Sequence, residues 1–158
     1  MFRELVRKKQ EISQEACREI LMKETRGILT VNGDGGYPYA TPMNHYYCAE
    51  DGCIYFHCGR AGHRLDALRR SDKVCFCVCE RGERKEGQWA YDVRSVVIFG
   101  RMEIIDDVNL IVPITTALSR KFTDDEAYIE HEIKQFSRGT LLLKLIPEHM
   151  CGKLVNES

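Results

Sequence analysis

A mainly β fold is what this sequence predicts: a small six-stranded antiparallel barrel with α-helices at its periphery. Three observations carry that prediction. Apolar and aromatic runs of strand length recur along the chain, at Arg26 to Asn32, Tyr37 to Cys48, Cys53 to Cys58, Lys73 to Glu80, Val93 to Ile105 and Gly139 to Ile146. Glycine-bearing turns join the early runs in hairpin succession. Helical periodicity is left for the stretches at the start, between strands and before the last strand. Closing such a sheet on itself removes the exposed edges that would otherwise recruit other chains.

The 158 residues suit a single domain spanning 1–158, long enough to bury on the order of 70% of the unfolded surface. A net charge of −1 supplies no basic field, which argues against a nucleic-acid partner. No apolar run approaches the ~20 residues that span a bilayer, so no membrane role is expected. The opening MFRELVRKKQEIS lacks the apolar centre of a secretory signal, and a cytoplasmic location is expected. Eight cysteines invite a disulfide or zinc reading. A reducing compartment opposes the first, and the spacing opposes the second. Cys75, Cys77 and Cys79 alternate with Val74, Phe76 and Val78, as small apolar residues on one face of a strand would. No metal site is expected.

Ser13 is placed to cap a first helix whose apolar stripe is Ala16, Cys17, Ile20 and Leu21. Gly33-Asp34-Gly35-Gly36 predicts the first hairpin turn. It resembles a phosphate loop only faintly, since no Lys-Ser/Thr pair and no helix follow. Pro38 and Pro42 lack an N–H, so the second strand belongs at an edge, a bulge or an unpaired position. Glu50-Asp51-Gly52 turns the chain into the third strand. Arg81 to Gln88 reads as a solvated loop, and Gly100 marks a bulge in the long fifth strand. Asp106 or Asp107 can cap a helix to about Phe122, kinked or delayed by Pro113. Asp124 to Phe136 is amphipathic, with Ile129, Ile133 and Phe136 on one face.

The stretch around which the rest is organised is Cys53 to Arg70, CIYFHCGRAGHRLDALRR. A strand ends, a turn flanked by Gly59 and Gly62 follows, and a helix starts at His63. The first N–H groups of a helix lack internal partners and sit at the positive end of its dipole. Arg60, His63 and Arg64 add side-chain donors, and a guanidinium can hold a phosphate through two parallel bonds. Local sequence leaves two readings open, a phosphate pocket or a solvated basic loop.

The order of these segments breaks the tie. PYATPMNHYY, then IYFHCGRAGHRLDALRR, a cysteine- and valine-rich strand, SVVIFGRMEIIDD and IPEHMCGK resemble the pyridoxamine 5′-phosphate oxidase-like flavoproteins of split β-barrel fold. The branch related to nitroimidazole-resistance proteins is the most similar. The resemblance runs from about Ile12 to Lys153 and implies a homodimer holding two FMN molecules between its subunits. It implies that Thr41, Pro42, Met43 and Asn44 run along the isoalloxazine ring and that Phe56 and His57 contribute beside them. Gly62 opens the helix whose His63 and Arg64 would hold the phosphate. The oxidases carry a flavin-contacting glutamine on the fifth strand; here the matching position is Ser95, and the oxidases' C-terminal substrate segment is not recognisable. That argues against oxidation of pyridoxamine phosphate.

The implied activity is an FMN-dependent oxidoreductase passing electrons from a transiently bound NAD(P)H to a small acceptor such as a nitroaromatic. A flavin- or haem-binding storage or sensor module without turnover is the alternative, with FAD or haem as other occupants of the groove. His57 is the candidate catalytic residue, against a reading as a backbone-bonded histidine. His45 is placed on the neighbouring strand and can face the other side of the sheet. Trp89 and Tyr91 suit interface packing.

Overall fold

The structure, a computed structural model, describes residues 1–157. Its frame is one antiparallel sheet of β1 (Glu11–Ile12), β2 (Arg26–Asn32), β3 (Pro38–Asn44), β4 (Tyr46–Tyr47), β5 (Ile54–Cys58), β6 (Lys73–Cys79), β7 (Glu83–Arg84), β8 (Tyr91–Ile105) and β9 (Leu141–Glu157). Four helices accompany it: α1 (Gln14–Lys23), α2 (His63–Arg70), α3 (Val108–Ser119) and α4 (Glu126–Phe136).

The main path across the sheet is β3-β2-β6-β8-β9-β5-β4. Its two ends, β3 and β4, are separated in the chain by one residue, His45. A sheet whose opposite edges are a single residue apart must roll up, so this connection makes the barrel. His45 is wholly buried. Its backbone N–H donates to Thr25 O at 3.2 Å, and its Nε2 donates to Leu21 O at 2.9 Å. Lys121, just beyond α3, ties the same corner by donating to the carbonyls of Leu21 (3.3 Å), Glu24 (2.6 Å) and His45 (3.1 Å). The C-terminal carbonyls of α1 thereby gain a cation, which also suits the negative end of the helix dipole.

Nine strands replace the six expected because three short ones were not resolved from the pattern. The second run is cut at His45 into β3 and β4, the Arg81–Gln88 stretch pairs through β7 with β8, and β1 pairs with β9. Pro38 and Pro42 sit on edge strand β3, as a missing N–H requires. Gly100 does mark a register shift, but the extra residue is Glu148 on β9, between the Phe99–His149 and Gly100–Pro147 pairs. A Cβ at Gly100 would run into the Ile146 carbonyl, so the close approach selects glycine. Pro147 does not end the last strand; β9 passes through the bulge to pair with all of β8.

Alternation sorts the strands into two faces. Leu29, Phe76, Ile98 and Phe56 fill the interior, with Phe56 and Phe76 edge-to-face at 4.9 Å. Cys17, Ile20 and Leu21 of α1 and Leu65, Ala67 and Leu68 of α2 join that core. Ser13 caps α1 by accepting from Ala16 N at 3.1 Å, and Asp107 and Asp125 cap α3 and α4 in the same way. α3 runs on through Pro113 and stops at Ser119, short of Phe122. It packs on the outer face of β5 and β9, where Ile111 meets Cys53, Tyr55 and Leu142.

Candidate functional site

The barrel is closed along the chain at His45 and left open beyond it. β3 pairs only with β2. β5 pairs over its whole length with β9, whereas β4 covers only Ile54 and Tyr55 on its other side. Phe56, His57 and Cys58 therefore have a free edge, and an antiparallel edge leaves every second N–H and C=O unused. Pro42, Met43 and Asn44 from one lip and His57 from the other line a cleft of about 240 Å³, together with Arg26. Sequence reasoning had brought the first four together but missed Arg26, whose Nε donates to Asn44 Oδ1 at 2.9 Å. A basic residue opening a strand carries no signal of its own.

At the other end of this opening stands α2. Its N-cap is Gly62 at φ +131°, a region that side chains other than hydrogen avoid, and no side chain caps the helix. Arg64 donates from Nε and Nη2 to the Thr41 hydroxyl, at 3.3 and 2.9 Å. No carboxylate among the described residues pairs with it. The expected His63–Arg64 pair is divided, however. His63 stacks on Tyr39 at 4.2 Å and lies 3.4 Å from Asp34 Oδ2, a carboxylate of the first hairpin that Arg70 also holds. Arg60 is drawn off as well: it grips Asp106 with two bonds of 2.7 and 2.6 Å and donates to Arg138 O at 2.9 Å. Of the three basic side chains expected at this corner, Arg64 alone keeps its charge without an anionic partner.

The remaining expected residues separate by face. Thr41 and Met43 point inward with Leu29, while Pro42 and Asn44 point outward with Ile28. Phe56 is fully buried in the core, so its side chain is packing and only its backbone reaches the lip. His57 lies on the outer face, and crowding by the protein draws its imidazole pKa down, although its surface stays open to solvent. Desolvation thus favours the uncharged ring. His45, by contrast, belongs to the buried corner. Ser95 does not meet the others within one chain. It sits on β8 in a different cleft, with Val97, Lys153 and the N-terminal Leu5 and Arg7.

An apolar row crosses the outer face from the lip. Pro42, Ile28, Cys77, Val97 and Cys151 are successive cross-strand partners on β3, β2, β6, β8 and β9. Ile28 is 42% exposed. Cys77 in the row and Cys75 beside it on β6 are half-buried thiols whose pKa values burial pushes up. Among the described residues no three His, Cys, Asp or Glu side chains gather as metal ligands would. No helix among them is long and apolar enough to cross a membrane.

A rolled sheet with an open seam, a basic helix at one end of that seam and a proline-bearing lip defines the split-barrel class. The chain belongs to the pyridoxamine 5′-phosphate oxidase family, whose model matches residues 13–154. No curated protein matches the sequence. Among solved structures, similarity extends to a candidate 5-nitroimidazole antibiotic resistance protein from Bacteroides thetaiotaomicron VPI-5482. That match has 21% identity and a TM-score of 0.75, and covers 93% of this chain and 87% of the other. An FAD-binding protein from Mesorhizobium loti matches at 20% identity and a TM-score of 0.66, over 92% and 97% of the two chains. An FAD- and haem-binding protein from Mycobacterium smegmatis matches at 21% and 0.72, over 92% and 73%.

Proposed function

We propose that this protein is an FMN-binding oxidoreductase, working as a homodimer, that takes electrons from a nicotinamide donor and passes them to a small acceptor such as a nitroaromatic. The observation that carries the reading is Arg64, a guanidinium at the head of the seam whose acceptor is a neutral hydroxyl. A phosphate can accept from that guanidinium and from the uncapped N–H groups of α2 at once. Gly62 favours this approach, because a Cβ built there would find nothing within 4 Å and the backbone stays accessible.

From that anchor the Pro42–Asn44 lip and His57 would hold a flat ring. The flavin supplies the hydride and electron chemistry when bound. The protein's part is to position it with edge-strand donors, keep water from one face and present His57 as an uncharged group that can give or take a hydrogen bond. The second copy of the chain is supported by the apolar row that starts at Pro42 and runs toward β8, the strand of Ser95. An exposed apolar row of this kind suits an interface, and a two-fold partner would bring its own Ser95 toward the lip. The solved neighbours named for FAD and for FAD with haem lend support to a flavin and keep both FAD and haem as outcomes of the test.

The absorption spectrum of the purified protein is the first test. Oxidised-flavin bands support the reading, and a Soret band would turn it toward haem. Arg64→Ala should lose most of the bound flavin while its circular dichroism is unchanged, since a charge-assisted bond is worth about 1.5–3 kcal/mol. Full flavin content in that variant would refute the anchor. Anaerobic bleaching by NADH or NADPH and reoxidation by a nitroaromatic separates turnover from mere binding, and gel filtration reads the dimer.

A further inference from the structure

A second cleft opens against the same histidine. His57 follows Tyr55 by two residues, so both side chains lie on the outer face of β5, where α3 packs on Tyr55. Beyond that contact a cleft of about 300 Å³ is lined by His57 of β5, Thr115 and Ser119 of α3, and Glu132, Ile133 and Phe136 of α4. The volume is at the lower end of small-ligand pockets. Phe136 was expected to pack inward with Ile129, but it is 53% exposed and turns its ring to this opening.

We infer that the α3–α4 cleft is the binding site for the small acceptor, and that it selects a flat apolar ring carrying a cationic or N–H-donating group over an anionic one. This rests on the redox reading above for the ligand's role, but its chemistry stands on the cleft's own residues. Ile133 and Phe136 offer the apolar wall. Glu132 is the one charged side chain in the lining, half-buried and with no ion pair or hydrogen bond among the described residues. No lysine or arginine lines the cleft to balance it. The hydroxyls of Thr115 and Thr140 are already committed to the carbonyls of Ile111 and Phe136, at 2.6 and 2.9 Å, so beside the Ser119 and Ser137 hydroxyls and the His57 ring the Glu132 carboxylate is the one anionic acceptor in the lining. His57 also lines the seam cleft with Pro42 and Asn44, so a molecule held here is one imidazole away from the proposed ring site. An anionic substrate would face Glu132 with no lysine or arginine in the lining.

Calorimetric titration of the full-length protein, as purified, with benzamidine, benzamide and benzoate tests the inference. Benzamidine should bind tightest and benzoate weakest. Glu132→Gln should weaken benzamidine about fivefold and leave benzamide unchanged, and Phe136→Ala should weaken both. Flavin content, read from the visible spectrum of the same preparations, should be unaffected by either substitution. Equal affinity for benzamidine and benzoate, no binding at millimolar concentrations, or an unchanged benzamidine affinity in Glu132→Gln would overturn the site. Charge-selective binding to a protein that carries no flavin would uphold the cleft and instead sink the redox reading.

Discussion

Two cations stand at opposite ends of the same seam. Lys121 closes the His45 end with three carbonyl acceptors, whereas Arg64 at the α2 end has one neutral hydroxyl. The desolvated Lys121 amine is drawn down to a pKa of about 8, so the protein bears a cost to hold it there. That cost is offset by joining α1, the barrel-closing residue and the segment after α3. Arg64 joins only α2 and β3, and most of its five donors remain unused. A cation whose donors are consumed by backbone holds structure together; one left with spare donors at an opening is available to a ligand.

The sharpest test of this contrast is acid. His45 has its imidazole pKa lowered to about 4, chiefly by burial and next by the neighbouring Lys121 charge, against the helping bond to Leu21 O. Its Nδ1 has no hydrogen-bond partner, so a second proton there would be buried without an acceptor. The unfolded chain takes that proton near pH 6.5 and the folded chain only near pH 4. Stability from this group is therefore complete above pH 6.5, falls as the pH drops below it, and is gone by about pH 4. The linked loss is about 3 kcal/mol, seen as a lower urea midpoint. In His45→Gln the midpoint should change far less over that interval; an equally steep fall would remove His45 from the account.

Lys121→Met is expected to cost about 1–2 kcal/mol in urea unfolding at pH 7, because the carbonyls of Glu24 and His45 lose their donor. Bound flavin should remain. If flavin were lost and stability kept, the roles assigned to the two ends would be reversed. The smallest effect belongs to Arg64→Ala measured on flavin-free protein, where unfolding should move by no more than about 0.5 kcal/mol. A loss comparable to that in Lys121→Met would make Arg64 a structural residue too.

Much of the fold was legible because strands with one buried face announce themselves by alternation. Leu29 and Val31, or Val74, Phe76 and Val78, are buried as their spacing requires. The cap at Ser13 was equally open to reading, and of the alternatives Asp106 and Asp107 the structure selects Asp107, since a side-chain oxygen before an apolar periodicity has a local purpose. Short strands such as β1 and β7 were not, because two residues carry no period and pairing alone defines them. Part of the grouping of candidate residues was legible: Pro42, Met43, Asn44 and His57 line one cleft, and Arg64 meets Thr41. His63 and Arg60 went elsewhere because Asp34 and Asp106, distant in sequence, compete for them.

The chain's own order of residues determined the strands, their faces, the glycine turn before α2 and the family to which they belong. These follow from contacts within a few residues and from the period of burial. Only the folded molecule decided that one buried histidine separates two sheet edges, that Phe56 packs inward while His57 serves two clefts, and that of Arg60, His63 and Arg64 the last is left without an anion. Those outcomes depend on which distant groups arrive at the same place, and pairing across a rolled sheet is not written in local spacing.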